Sequence, residues 1–293
     1  MLLLSAVAYT AWVLEVVLST GLDPVQAYLS ELAAEDQPLG GLFRATDLVA
    51  GLAVLAGATL APLAFHTSAG SRTARPRIAR PRIARPRIAG PRTAAGPGAP
   101  GRTRPRRAWA VVGWAALALF GAATAADSRL PLSCAPTSDE MCAARETAGL
   151  VPATHTAHAV TSSLAMVGAL TGLTALTVAA RRYGWWPPVR RYGPWLLGAE
   201  LLATGWSLSA IAAFEAGHGT WALGAGQRLQ VLLVALWLAL LATALLAART
   251  DPEGRAALEA PGAAAPAPTT PPTTTPTSAT TEAPPRPEGR GSA

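Results

Sequence analysis

The chain has 293 residues, 51% of them hydrophobic and only 14% charged, with 24 Arg, no Lys and 17 acids. Soluble domains carry roughly a quarter charged residues, so the polar surface of a water-exposed globule is missing. The net charge of +7 does not mark a nucleic-acid-binding face, because 12 Arg lie between Arg72 and Arg107 and taking those 12 from +7 leaves −5 for the rest.

A helix crossing a bilayer core of about 30 Å needs about 20 apolar residues. Six runs meet that length, over residues 2–20, 46–65, 108–126, 154–180, 192–216 and 227–248. They predict an all-α polytopic membrane protein, a six-transmembrane-helix bundle over residues 1–248. The first run begins at once, without a basic leader, so it reads as an uncleaved helix and not a signal peptide. Within it Ser5, Tyr9, Trp12, Glu15 and Ser19 recur at three- and four-residue steps, which draws one polar stripe. In the next connection Asp23, Pro24 and Gln26 have the spacing of an N-cap, an N1 proline and a capping-box partner. Val25, Tyr28, Leu29 and Leu32 then share a face, predicting a short amphipathic helix on the outer surface, with Glu31 and Glu35 turned elsewhere.

The second run opens with Arg44 and Asp47 and leads into a loop, residues 67–107, that repeats ARPRI from Ala74, Ala79 and Ala84. A proline every five residues removes a backbone donor each time, so a disordered, extended basic loop is expected. Its arginines can be drawn to anionic inner-leaflet lipids at about 1 kcal/mol each. The plainer alternative is a repeat tolerated because it lies in solvent. Gly96, Gly98 and Gly101 satisfy G-x-G-x-x-G, but two prolines interrupt them and no strand precedes them, so no dinucleotide site is expected.

The third run closes on Asp127, followed by Arg129. Cys134 and Cys142, the only cysteines, share the next loop, where an intraloop disulfide is expected on the oxidising side. The fourth run opens with His155 and His158, continues with Thr161 and Ser162, and holds Gly168 and Gly172 at a spacing that permits close helix packing. The fifth carries Glu200, Thr204 and Ser207 on one face, with Glu215 and His218 near its far end. Gln227 and Arg228 begin the sixth. The tail, residues 249–293, is rich in Pro, Thr and Ala and is expected to be disordered.

Orientation follows from the arginines. Connection 66–107 has 12 Arg and no acid, and connection 181–191 has four Arg and no acid. Connection 21–43 has four acids and no Arg, and connection 127–153 has four acids and two Arg. The positive-inside rule puts the basic connections, and with them both termini, in the cytoplasm.

Ionisable groups within spans cost about 2.5–3.5 kcal/mol each on insertion scales, so they face the bundle or a wet cavity. Glu15, Asp47, Asp127, His155, His158, Glu215, His218 and Arg228 map to the outer half and can converge on an outward-facing pocket built from the second to sixth runs. Glu200 is the exception, roughly 12 Å in from the cytoplasmic end of its helix. The leading expectation is a non-enzymatic protein, without cofactor or metal, that binds a lipid or small ligand in that pocket. Alternatively Asp127, His155 and His158 hold a zinc ion that activates water, as in a membrane-embedded hydrolase. A third possibility is proton-coupled transport through Glu200, Glu15 and the histidines. The bland alternative is that these acids and histidines pair with Arg44, Arg129 and Arg228 and only lock the helices. There is no Lys for a P-loop, no G-x-S-x-G elbow and no H-E-x-x-H helix.

Tyr28-Leu29-Ser30-Glu31-Leu32, then Asp127, His158, and Gly226-Gln227-Arg228 before the run containing Trp237, resemble the bacterial membrane family called domain of unknown function 998. The resemblance covers about residues 1–248, leaving out the Arg repeat. It implies a six-helix bundle with no established activity. The family's Ser-Glu, Asp, His and Arg positions match Ser30, Glu31, Asp127, His158 and Arg228, which adds Ser30 and Glu31 to the pocket candidates. A multi-pass protein of a bacterial plasma membrane is implied, with lipids as its surroundings. The Lys-free, Arg-, Ala-, Gly- and Pro-rich composition suggests a high-GC bacterium such as an actinobacterium.

Overall fold

The computed structural model describes residues 1–70 and 108–250; the Arg/Pro repeat and the Pro/Thr-rich tail lie outside the described residues. Regular structure among the described residues is entirely helical. The chain forms α1 (Leu2–Tyr9), two 3-10 segments (Ala11–Val16 and Leu29–Ala33), α2 (Gly40–Gly70) and α3 (Ala108–Asp127). It continues with α4 (Glu140–Thr147), α5 (Ala153–Tyr183), α6 (Pro187–Glu215) and α7 (Leu223–Thr250). Five of these, α2, α3, α5, α6 and α7, are long and apolar enough to cross a membrane. Their outer faces expose Val111, Trp195 and Leu202, as lipid-facing helices do. The chain is a polytopic helical membrane protein in contact with lipid.

The hairpin between α5 and α6 follows from its sequence, Gly-Trp-Trp-Pro-Pro. Gly184 ends α5 with φ +72°, the left-handed position that glycine takes without penalty. Pro187 and Pro188 then start α6 where their missing N–H costs nothing. Trp114, Tyr183, Trp185 and Trp186 cluster at this end in one T-shaped and two tilted ring contacts, the aromatic enrichment found at membrane interfaces.

The first apolar run departs from the expected helix over 2–20. α1 stops at Tyr9 and continues as a 3-10 segment to Val16, so this unit is shorter than the other five. The causes are local. The Thr10 hydroxyl donates to the Val7 carbonyl at 2.8 Å, and Val13, Val16 and Val17 are stiff β-branched residues. At three residues per turn, Trp12 and Glu15 stay on one face.

The expected amphipathic helix after it is also absent. Asp23 does accept from the amides of Val25 (2.8 Å) and Gln26 (3.4 Å), but the bonds close a turn that no helix follows. Gln26 bonds to Thr220 instead of completing a capping box. The next residues form the Leu29–Ala33 3-10 turn, whose Leu32 packs on Phe43, while Tyr28 meets Phe214 edge-on at 5.8 Å. Backbone bonds fasten the segment to α7: Leu29 N–H donates to Gln227 Oε1 (2.8 Å) and Ala225 N–H to the Val25 carbonyl (3.1 Å). Tyr28, Leu29 and Leu32 of the expected apolar face are thus spent on protein, while Val25 stays exposed.

The six apolar helices touch in the closed order α1, α2, α3, α5, α6, α7 and back to α1. α3 is gripped from both sides at glycines. A Cβ on Gly121 would stand 2.5 Å from the Leu55 amide nitrogen of α2, and one on Gly168 of α5 would stand 2.7 Å from the Phe120 nitrogen. The G-x-x-x-G pair of α5 therefore serves packing within the chain. Towards the α5–α6 hairpin the interior is filled by Leu117, Leu173, Leu176, Trp237, Leu238 and Leu241, all fully buried. Trp237 donates its indole N–H to Thr177 Oγ1 at 3.2 Å. Towards the other end the helices part around a cavity.

Candidate ligand cavity

The cavity holds about 210 Å³. α1 and the first 3-10 segment bring Tyr9 and Trp12 to it, α2 brings Phe43 and Asp47, and α3 brings Phe120, Thr124 and Asp127. α5 adds His158 and Ser162, α7 adds Gln227 and Gln230, and the Leu29–Ala33 turn lies across it with Ser30 and Leu32. The N-terminal segment contributes to the wall and α6 does not, unlike the expected construction from the second to sixth runs.

Asp127 is the last residue of α3 and meets the face of α5 that carries His158, Thr161 and Ser162 at helical spacing. Its Oδ1 accepts from the Thr161 hydroxyl and from the Ser162 hydroxyl (3.1 Å), and lies 3.1 Å from His158 Nδ1. That same Nδ1 is 3.1 Å from the Leu130 carbonyl. Both neighbours are acceptors, so Nδ1 carries a proton. On the opposite wall the Tyr9 and Thr124 hydroxyls bond at 2.7 Å.

His155, one turn before His158, points away from the cavity. Its Nδ1 accepts from the Ser133 amide (3.2 Å), and its Nε2 donates to Glu146 Oε1 (3.3 Å). The structure thus brings Asp127 and His158 together and places His155 with the second loop. Among the described residues no three His, Cys, Asp or Glu cluster in a way that could hold a metal ion.

The roof is held from behind by charged groups. Glu31 is 0% exposed; its Oε1 accepts from the Thr137 amide (2.8 Å) and its Oε2 from the Thr137 hydroxyl (2.5 Å). Burial pushes the Glu31 carboxyl above the usual carboxylate range; the Thr137 bonds pull it down, and Asp36 and Glu146 add to the rise. Thr137 sits inside the loop closed by the Cys134–Cys142 disulfide, whose Cα atoms are 5.9 Å apart. The Glu35 amide donates to the Leu132 carbonyl at 2.9 Å, joining the same two loops. Arg44 donates to the carbonyls of Ala33 (2.7 Å) and Ala34 (3.1 Å), which end the 3-10 turn.

Arg228 forms a buried two-point pair with Glu15, at 2.5 and 2.7 Å, with both side chains at most 6% exposed. It also donates to the carbonyls of Ala27 and Gly224 at 3.1 Å each. Of the three arginines expected to pair with acids, Arg228 does, Arg44 serves carbonyls and Arg129 is exposed. Glu200 is fully buried against α7, outside the lining. Thr204 and Gln230 are its polar neighbours, but neither reaches hydrogen-bonding geometry with its carboxyl oxygens, and Gln230 donates to Thr204 Oγ1 at 2.8 Å. Glu215 and His218 are exposed at the end of α6 and do not line the cavity.

Over residues 2–79 and 93–244 the chain matches the family described as Protein of unknown function (DUF998). It belongs to that family. No curated protein and no solved structure matches it. The stretch of this DUF998 protein left unmatched between those ranges falls within the Arg/Pro repeat. Of the five polar positions matched to the family, Ser30, Asp127 and His158 line the cavity, while Glu31 and Arg228 brace the segment over it. Sequence reasoning missed Phe43, Phe120, Thr124 and Gln230 in the walls and Thr137 behind the roof. Gln230 was signalled, as a second amide one turn after Gln227 in an apolar run. Thr137 has no such mark, because its partner lies 106 residues away.

Proposed function

We propose that this is a non-enzymatic binding protein of a bacterial plasma membrane, actinobacterial by its composition, which takes a lipid or small ligand into the cavity from the outer side. One observation carries the reading: polar side chains from four helices converge on a space otherwise walled by apolar and aromatic residues, the usual make-up of a ligand site. Binding is favoured over zinc-assisted hydrolysis because His155 is committed to Ser133 and Glu146. The test is native mass spectrometry of purified protein. A retained small molecule or lipid is expected in wild type and lost in Ala165→Phe, which fills the cavity while leaving its polar side chains unsubstituted; equal retention in both would overturn the reading.

The topology that goes with it has six crossings and cytoplasmic termini. Supporting it, the 8 residues of α1 and 6 of the 3-10 segment rise about 24 Å together. Leu2 packs against Gly57, well along α2, while Glu15 meets Arg228 near the start of α7. Arg72–Arg107 then faces the anionic inner leaflet. A second reading, proton-coupled transport, is favoured by Glu200, a wholly buried carboxyl group in mid-helix. It expects pH-driven flux in vesicles that Glu200→Gln abolishes; flux unaltered in that variant would remove Glu200 from any mechanism.

A further inference from the structure

We propose that the cavity selects an ammonium group, carried either by a small organic cation or by the headgroup of an aminolipid. The inference rests on the cavity being a binding site, as above, and names what the site recognises. Two carboxyl groups, Asp47 and Asp127, open onto the space. Asp127 spends Oδ1 on Thr161, Ser162 and His158, which leaves Oδ2 without a partner among the described residues. Among the described residues neither oxygen of Asp47 takes part in a hydrogen bond or an ion pair.

Among the described residues no arginine answers them. The lining contains no Arg and the chain no Lys. Arg228 is paired with Glu15, and Arg44 is turned to backbone carbonyls. His158 is the single basic group on the wall, set against two carboxyls. Charge inside a membrane protein is normally balanced by a neighbour of opposite sign. Positive charge is what this site lacks.

The rest of the wall says what kind of cation. Tyr9, Trp12, Phe43 and Phe120 line the same space, with the Tyr9 and Phe120 rings 5.3 Å apart. Aromatic faces attract an ammonium group, whereas an anion gains nothing from them or from the carboxyls. A hard divalent ion would need six or more oxygen ligands, which aromatic walls do not offer. The Trp12 indole N–H is buried and finds no acceptor among the described residues, so it can serve a hydroxyl or carbonyl elsewhere on the ligand. At about 210 Å³ the space is smaller than the roughly 300–1,000 Å³ of drug-sized sites, which admits a small amine or a headgroup alone.

The full-length protein in phosphatidylglycerol nanodiscs is titrated by calorimetry with butylammonium, its neutral counterpart 1-butanol and the anion butanoate. In parallel, phosphatidylethanolamine retention is read by native mass spectrometry. Butylammonium is expected to bind at least tenfold more tightly than the other two, and Asp47→Asn to erase that preference. Trp12→Leu, which keeps both carboxyls, is expected to weaken butylammonium severalfold and serves if Asp47→Asn fails to fold. Retained phosphatidylethanolamine that butylammonium displaces supports the same recognition and makes a lipid headgroup the source; butylammonium binding without it makes the source a free amine. Equal or tighter binding of butanol or butanoate overturns ammonium selection while leaving a ligand cavity in place. Failure of every probe and lipid overturns both.

Discussion

Arg228 ties three parts of the chain together beside the cavity. With no lysine in the chain, arginine is the sole permanent side-chain cation, and its planar fork meets both oxygens of Glu15 at once. The remaining donor holds the Ala27 and Gly224 carbonyls, so one side chain fixes the N-terminal segment, the loop over the cavity and the start of α7. Removing one member of a buried pair strands the other charge, at a cost of about 3–5 kcal/mol. Glu15→Gln is therefore expected to lower the thermal midpoint in detergent markedly, and adding Arg228→Gln to recover part of the loss. A midpoint unchanged by Glu15→Gln would show that the pair contributes no stability.

The roof behaves as an element because two distant loops meet at Glu31 and Thr137. Folding raises the Glu31 carboxyl pKa, so the fold holds that proton more tightly than the unfolded chain. Its contribution is complete below the unfolded value of about 4.3 and declines as pH rises through the raised folded value. Hydrogen-exchange protection of residues 29–33, corrected for intrinsic rates, is expected to fall over that window in wild type and to stay flat in Glu31→Gln. Equal slopes in the two proteins would contradict it. The long helices were legible in the sequence because an apolar run of that length has one solution in lipid, the hydrogen-bonded helix. The roof was not, since Glu31 reads as a surface acid until Thr137 is known to lie beside it. The first run looked like a full helix because Thr10 and the valines that loosen it do not interrupt an apolar pattern, and the Glu15–Arg228 contact made from its 3-10 turns is 213 residues away. The alternative that grouped Asp127 with His155 and His158 named both members of the pair, but nothing in the sequence marked that His155 turns instead to Ser133 and Glu146.

For the whole molecule, closed neighbour order turns single helices into a container. Glycines pull α3 against α2 and α5, leucines and Trp237 seal one end, and polar side chains gather in the space left at the other. On the proposed topology the arginines mark the cytoplasmic side, while the cavity opens on the side whose loops are acidic and carry the disulfide. Ser162 lines that cavity, and both native cysteines are occupied in the disulfide. Ser162→Cys therefore gives a single reactive thiol inside the site. Treating intact cells with a small membrane-impermeant methanethiosulfonate is expected to label it from outside, and Ala165→Phe in the same chain to suppress the labelling. Labelling that appears only after the membrane is permeabilised would contradict an outward-facing cavity.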